Sequence, residues 1–488
     1  MSLVEQTRDV LTHAEQVFAG TSSLDEVRHL RDRLDEPLRV AIAGKVKAGK
    51  STLLNALVGE LLAPTDTGEC TKVVTWYRDG HTYQVLLYPA EGGPAVQARF
   101  RRDDGAIDID LGGRDASAVE KLDVTWPSGG LRTLTLIDTP GVGSMTDNVS
   151  SRAFEFLDPE DAATPADAVL YLMKHIHASD LRLLEAFHDD SVANPNPVNA
   201  IAVLSRADEI GAGRIDSMES AIRIAGRLGD DSRLRRLVQM IVPVAGLLAE
   251  TAETMTEAEF RELQQLARAA GDLEMLMLSA DRFVEGRPET PLTSIERERL
   301  LGRFGLFGIR AAIDLIASGR ATSSSALSDR LLEMSGLDRL RHVLTSLFVD
   351  RADVLKARSG LLAVERLCDE HPGQPGVDAL EAELERVMAS AHPFNEMNTM
   401  AAIRSGWVTG PAGQLAELER ILGAGGTEGW QRLGLDAPAA SSEAIKSTAI
   451  EQLGRWQRLA ENPLTAHDMA TAIRVAIRSL EGLVANPG

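Results

Sequence analysis

Two cysteines in 488 residues, Cys70 and Cys368, are too few for a disulfide framework and show no metal-ligand spacing. A reducing compartment is the simple reading. No apolar run approaches the ~20 residues that a membrane-crossing helix needs. Met1–Gly20 mixes acidic residues into a helical period, where a secretory leader would carry a basic stretch and an apolar block. The expectation is therefore a cytoplasmic protein, soluble or peripheral. Basic residues are also short, with 51 Lys and Arg against 72 Asp and Glu and a net charge of −21. That balance argues against an indiscriminate nucleic-acid or anionic-lipid binder, whose affinity rests on a Lys/Arg surface; a local basic patch stays open. What is present is 44% hydrophobic and 25% charged, a globular composition in a chain too long for one ordinary core, so two domains are expected.

The informative stretch is Gly44-Lys45-Val46-Lys47-Ala48-Gly49-Lys50-Ser51, which follows the apolar run Leu38–Ala43 and opens the helical pattern Thr52–Val58. Strand, G-x-x-x-x-G-K-S loop and helix together make a phosphate cradle: consecutive backbone N–H groups curl around the phosphates and the helix dipole adds positive potential. In that arrangement Lys50 reaches the β- and γ-phosphates, the Ser51 hydroxyl ligates Mg²⁺, and Thr52 begins the helix behind them.

Further strand ends carry the rest of a nucleotide site. A polar stretch, Pro64–Lys72, precedes the strand pattern Val73–Tyr77, and Thr71 is chosen over Thr65 and Thr67 as the switch residue that completes the Mg²⁺ shell and senses the γ-phosphate. Between Thr82 and Trp126, strand patterns alternate with Gly-rich turns, which predicts hairpin elaboration of the sheet. Leu134–Ile137 then delivers Asp138-Thr139-Pro140-Gly141, in which Asp138 would hold Mg²⁺ through water and the Gly141 N–H would bond the γ-phosphate. After the strand Ala168–Met173, His175 and His177 read as loop polarity, because no third ligand stands at a recognisable spacing. The strand Ala200–Leu204 ends in Ser205-Arg206-Ala207-Asp208. Asp208 is placed to accept from N1 and the exocyclic amine of guanine, a donor pair that adenine lacks, while the Arg206 stem and planar head cover the base. A weaker signal is Ala245-Gly246, after the strand Met240–Val244, whose N–H groups would meet the guanine oxygen.

This ordered set is more specific than any of its parts, and the chain resembles the bacterial dynamin-like GTPases, of the actinobacterial isoniazid-inducible type. The likeness covers nearly the whole chain and includes G-K-V-K-A-G-K-S-T-L-L-N-A-L, A-P-T-D-T-G-E-C-T-K-V-V-T-W, S-R-A-D-E-I-G-A-G-R-I-D and R-F-G-L-F-G-I-R at Arg303–Arg310. It implies an α/β P-loop GTPase domain with a Ras-like mixed sheet and helices on both faces, plus an all-α helical-bundle stalk. GTP would be the substrate, Mg²⁺ the cofactor and GDP the product. Thr71 falls on the family's switch threonine and Asp138 on its Mg²⁺-side aspartate. Where eukaryotic dynamins place a water-positioning glutamine, this chain has Val46, so water alignment must come from backbone or another loop. Lys47 falls where guanylate-binding proteins place an arginine that swings toward the phosphates. It is either an in-cis charge stabiliser, catalytic together with Lys50 and Thr71, or a solvated lysine that only raises the local potential. The resemblance also implies pairing, as a homodimer through GTPase domains or a hetero-assembly with a related dynamin-like protein, and peripheral contact with the inner face of the plasma membrane. No nucleic-acid partner is expected.

Helical periodicity dominates the remainder. Val4–Phe18 and Leu24–Leu34 form two helices ahead of Glu36-Pro37, expected to pack with the C-terminal helices. Glu250–Ala270, Leu273–Phe283 and Phe304–Ile316 are expected to finish the GTPase domain, and Gly319–Ser325 is the hinge candidate. A long helix from Leu337 is expected to run to Cys368 before His371–Gly376 breaks it. Stripes at Leu380–Met388, Leu415–Leu422, Ile445–Leu459 and Met469–Val484 complete an antiparallel bundle. The expected division is 1–36, N-terminal helices packing with the stalk; 37–318, GTPase; and 319–488, stalk. Membrane contact would fall at Met397–Trp407 or at Gly423–Trp430, although neither carries a basic cluster. Three functions compete: a GTPase doing mechanical work at the membrane, a GTP-dependent switch or scaffold acting through a protein partner, and a ribosome- or RNA-associated GTPase, which the acidic bundle disfavours.

Overall fold

In the computed structural model the described residues are 2–64, 72–103, 106–141, 165–174, 199–269, 276–285, 291–436 and 441–486. Thr65, Thr67, Cys70, Thr71, His175 and His177 lie outside them.

A nine-stranded mixed sheet carries the site. Its strands are β1 (Leu38–Gly44), β2 (Val74–Asp79), β3 (Gln84–Pro89), β4 (Val96–Gln97), β7 (Val119–Trp126), β8 (Leu134–Asp138), β9 (Ala168–Met173), β10 (Ala200–Ser205) and β11 (Ile241–Val244). The spatial order is β11-β10-β9-β1-β8-β2-β7-β3-β4. Between β4 and β7 the chain forms a separate antiparallel hairpin, β5 (Arg99–Asp103) with β6 (Ala106–Asp110). Five strands from β11 to β8 run parallel, with Val40 beside Leu136 on one side and Ala168 on the other. The β1, β8, β9, β10 and β11 runs are buried end to end, as strands covered on both faces must be, which is why they read as continuous apolar runs. The direction reverses at β2 against β8, and again at β3 against β7 and at β4 against β3. Parallel alignment brings the carboxyl ends of β1, β8, β10 and β11 to one edge, the location where open α/β sheets bind ligands.

Helices cover both faces: α3 (Lys50–Val58), α4 (Ser217–Gly229), α5 (Ser232–Leu237), α6 (Gly246–Glu253), α7 (Glu257–Arg268), α8 (Ala280–Glu285), α9 (Ser294–Ala317) and α10 (Ser324–Ser335). The expected helix over 250–270 is two helices. Thr256 caps the second through a capping box with Glu259, whose carboxylate takes the Thr256 N–H at 2.7 Å. Leu327 and Leu331 of α10 share a core with Phe260, Leu300, Phe304 and Phe307.

The bundle comprises α11 (Leu337–Leu347), α12 (Ala352–Glu370), α13 (Val377–Ser390), α14 (His392–Arg404), α15 (Ala412–Ile421), α16 (Gly429–Leu433), α17 (Ser442–Ala460) and α18 (His467–Ala485). The expected continuous helix to Cys368 is broken by a 3₁₀ turn at Val349–Arg351. There Arg351 turns inward and donates to Leu422 O at 3.2 Å and Gly423 O at 2.6 Å. The opening helices α1 (Leu3–Val17) and α2 (Leu24–Arg33) bury Val10, Leu11, Phe18, Val27 and Leu30 against Leu361, Val364, Leu367 and Leu380 of α12 and α13. Lys356 of α12 donates to Leu34 O at 2.7 Å and Glu36 O at 3.1 Å, serving the carbonyls at the end of α2. Bundle and sheet also meet directly: Arg341 of α11 donates to Ala56 O of α3 at 3.0 Å and pairs with Glu253 at 2.7 Å.

Candidate functional site

Residues 44–49 leave β1 and turn sharply before α3, whose N-cap is Gly49 in the left-handed region (φ 91°). Lys47 also has positive φ (61°), unusual for a side-chain-bearing residue, and its carbonyl receives Arg206 Nη2 at 2.9 Å. Ala48 is buried, whereas Val46 and Lys47 are exposed. The loop backbone thus curls above the α3 N-terminus, where free N–H groups and the helix dipole favour an anion.

Three polar side chains converge on this turn. Lys50 Nζ lies 3.5 Å from both Gly44 O and Lys45 O, long contacts that leave its charge poorly matched; burial pulls its ammonium below the ordinary range, against the pull of Asp138. Ser51 Oγ donates to Asp138 Oδ2 at 2.9 Å. Burial pushes the Asp138 carboxyl up, opposed by Lys50 and Ser51, and Asp138 Oδ1 is buried without a hydrogen-bond partner. After Asp138 the chain is pinned by Thr139, which donates through both N and Oγ1 to Ile42 O. Gly141 then passes against the phosphate loop so closely that a Cβ would stand 2.8 Å from Val46 Cα. Only glycine allows that approach, and this is the structural content of D-x-P-G.

A second part of the site lies at the ends of β10 and β11. A cavity of about 140 Å³ is lined by Thr52, Leu172, Ser205, Arg206, Asp208 and Leu247, among others including Gly246. It is smaller than the ~300–1,000 Å³ of pockets that enclose a whole ligand, a size that suits a base with its phosphates held outside on the loop. Burial pushes the Asp208 carboxyl up, and the buried Ser205 hydroxyl has no partner among the described residues. Arg206, in the left-handed region, bonds both Lys47 O and Glu209 Oε1 (2.6 Å), so one guanidinium spans the glycine loop and this cavity. Lys174 joins Glu209 from β9 at 3.2 Å. Ala245 precedes α6 and Gly246 is its first residue.

The structure therefore gathers Gly44–Thr52, Asp138 and Gly141 at one end of a trough and Ser205, Arg206, Asp208, Ala245 and Gly246 at the other. Thr71 lies outside the described residues. Glu209 and Leu247 also line the cavity, although the sequence reading gave neither a role; each directly follows a predicted site residue, and Glu209 lies within the S-R-A-D-E stretch. Among the described residues no group of three or more His, Cys, Asp or Glu side chains is placed to hold a metal ion.

A family model described as a 50S ribosome-binding GTPase matches residues 39–202. The isoniazid-induced protein IniC of Mycobacterium tuberculosis is 38% identical over 493 aligned residues, covering 99% of this chain and 99% of that protein. The isoniazid-induced protein IniA of the same organism is 35% identical over 140 residues, 27% of this chain and 21% of its own. A solved bacterial dynamin pair aligns over 98% of this chain and 74% of its own, at 12% identity and a TM-score of 0.32. With 38% identity to IniC over 99% of both chains, the chain belongs to the dynamin-like GTPases of the isoniazid-induced protein family.

Proposed function

We propose that this GTPase binds GTP along the trough and hydrolyses it with Mg²⁺, and that pairing of GTPase domains stimulates turnover. The observation that carries the reading is the convergence of Lys50, Ser51 and Asp138 on one turn, with a buried carboxylate oxygen left unpartnered. A single carboxylate and a hydroxyl beside a phosphate cradle suit Mg²⁺, which binds through one or two protein oxygens plus phosphates and retained waters. Ser51 and Asp138 would hold it, with Thr71 from the switch segment, and when bound it neutralises charge on the β- and γ-phosphate oxygens. The chain's own groups do the remaining work. Backbone N–H groups from Gly44 to Ser51 cradle the phosphates, Lys50 matches the β,γ charge, and the Gly141 N–H faces the γ-phosphate. Asp208 accepts from the guanine N1 and 2-amino groups, Arg206 covers the base, and Ser205, Ala245 and Gly246 edge it.

Domain roles follow the same reading: residues 37–318 form the GTPase unit, 319–488 with the helices of 1–36 form the stalk, and α10 joins the two. The assembly is a homodimer or a hetero-assembly with a related dynamin-like protein, acting at the inner face of the plasma membrane or cell envelope. One observation favours a second reading, a switch or scaffold that reaches the membrane through a partner. In Met397–Trp407 the apolar Met397, Met400 and Ile403 are core residues and Trp407 is the large hydrophobic left exposed (63%), while Trp430 is half-buried against the bundle. Little apolar surface is on offer to lipid at either candidate segment, of which the first is mostly the end of α14. GTP turnover per molecule, measured across a protein concentration series with and without anionic liposomes and with Lys50→Ala as the blank, decides between them. A specific rate rising with concentration and again with liposomes supports direct membrane work; a flat, slow rate indifferent to lipid supports the scaffold.

A further inference from the structure

The 24-residue helix α9 (Ser294–Ala317) is interrupted at Gly305, where φ is 63° and ψ 171°. That backbone region is open essentially to glycine alone, and such outliers collect at ligand sites and switches. No proline is near; the kink falls within Phe304–Ile309, where Phe304, Phe307 and Ile309 are fully buried. The kink lies behind the wall of the cavity at the ends of β10 and β11. A Cβ on Gly305 would stand 3.6 Å from Asp208 Oδ2 and 3.7 Å from Leu247 Cδ2, and both residues line that cavity.

The contact is held from both sides. Gly213, also left-handed (φ 69°), meets α9 so closely that its Cβ would lie 3.3 Å from Phe307 N and 3.6 Å from Asp208 O. Beyond the kink, Arg310 donates through Nη1 to Ala212 O at 3.1 Å and to Gly213 O, and through Nη2 to Met277 O. Before the kink, Arg303 donates to Thr254 Oγ1 and to Glu259 Oε1, both at 2.9 Å, and Thr251 donates to Arg303 O. One helix thus ties the loop bearing Asp208 to α6, which begins at Gly246, and the point between the two ties is the one residue whose backbone requires glycine.

We propose that Gly305 is a positioning residue for guanine recognition: the kinked backbone forms the wall behind Asp208 and fixes its Oδ2 where the paired N1 and 2-amino donors of the base arrive. The inference rests on the reading of Asp208 as the base acceptor. A carboxylate buried for two donors discriminates strongly only while held in place, because selectivity comes from the oxygen left unpaired by the wrong base.

The test compares GDP with IDP, whose hypoxanthine lacks the 2-amino group, in equilibrium titrations of the full chain. In Gly305→Ala the preference for GDP over IDP is expected to shrink by about tenfold, with IDP affinity held within about twofold. Arg310→Gln, which loosens the tie without altering the backbone at 305, is expected to move the ratio in the same direction by less, and it decides the matter if Gly305→Ala does not fold. Equal losses for both nucleotides, or an unchanged ratio in a folded variant, would overturn the proposal and leave Gly305 a helix kink only. An unmodified chain that binds GDP and IDP alike removes the base-acceptor reading itself and the inference with it, an outcome visible before any substitution is made.

Discussion

Two of the places where this molecule buries carboxylates treat them in opposite ways. At the sheet edge burial dominates: Asp138 and Asp208 are both pushed above the ordinary carboxylate range, Asp138 keeps one oxygen without a partner, and Lys50 makes only 3.5 Å contacts. In the bundle, burial also pushes Glu396 upward, but a ring of partners outweighs it and holds the group at about 2. Arg432 donates to both of its oxygens (2.6 and 3.3 Å), Ser479 donates at 2.6 Å, and His392 stands 3.5 Å away. Burying a charge is costly unless its hydrogen bonds are completed, so the bundle cluster is finished as it stands, whereas the sheet-edge cluster has capacity left that the proposed nucleotide and Mg²⁺ would fill.

The largest break in that contrast comes from Lys50→Ala. Nucleotide affinity should fall by ~100-fold or more, on the order of 3 kcal/mol for an unpaired buried charge partner. Thermal stability without nucleotide should stay nearly constant, because the lysine has so little to lose in the free protein. Titration with a fluorescent GDP, alongside thermal melts, reads both; unchanged affinity would remove the basis for the phosphate-cradle reading. Asp208→Asn comes next. It should reverse the preference between guanine and xanthine nucleotides by ~100-fold or more, because the amide presents a donor where guanine also donates. A retained guanine preference would assign base reading to another group. The raised carboxyl also fixes a sign for the free protein: the Asp208 contribution to stability is fully present below about 3.8 and lost as pH rises through its folded value. Asp208→Asn should therefore flatten that decline, a difference visible in melts taken as pH rises from about 3.8.

Glu396→Gln tests the other side. A carboxyl lowered from 4.5 to about 2 contributes on the order of 3 kcal/mol, present above the unfolded value and lost as pH falls from about 4.5 toward 2. The variant should be destabilised by roughly that amount at pH 7 and match the parent near pH 2, with GDP affinity unaltered. Chemical denaturation at several pH values checks it. A weaker GDP affinity in this variant would mean that the two clusters are not independent.

What the sequence disclosed follows the same line. Glycines at fixed offsets, and carboxylates at the ends of β8 and β10, are local signals, so the phosphate loop, Asp138 and Asp208 could be placed without a structure. Features built from distant parts could not. The helix break at Val349–Arg351 contains neither Pro nor Gly, and its cause is Arg351 reaching carbonyls at Leu422 and Gly423. The ring around Glu396 joins α14, α16 and α18, and Gly305 looks like any glycine until Asp208 is found beside it. The break before α7 was legible in principle, since Thr256-x-x-Glu259 is a capping box, but helical periodicity runs through it.

The smallest expected effect concerns Lys47, and it separates two ways in which a lysine can serve an incomplete site. Its side chain is exposed, while its backbone is held in the left-handed region by the bond from Arg206 Nη2 to Lys47 O. That bond belongs to the main chain and survives Lys47→Ala, so loop shape and nucleotide affinity should change by less than about threefold. If the ammonium swings onto the transferring phosphoryl group when GTPase domains pair, turnover should fall by roughly tenfold at high protein concentration and hardly at all at low concentration, where pairing is rare. A loss that is the same at every concentration would make the lysine a fixed contributor to potential. Full turnover at all concentrations would leave it a solvated side chain, with charge compensation falling to Lys50 and the backbone.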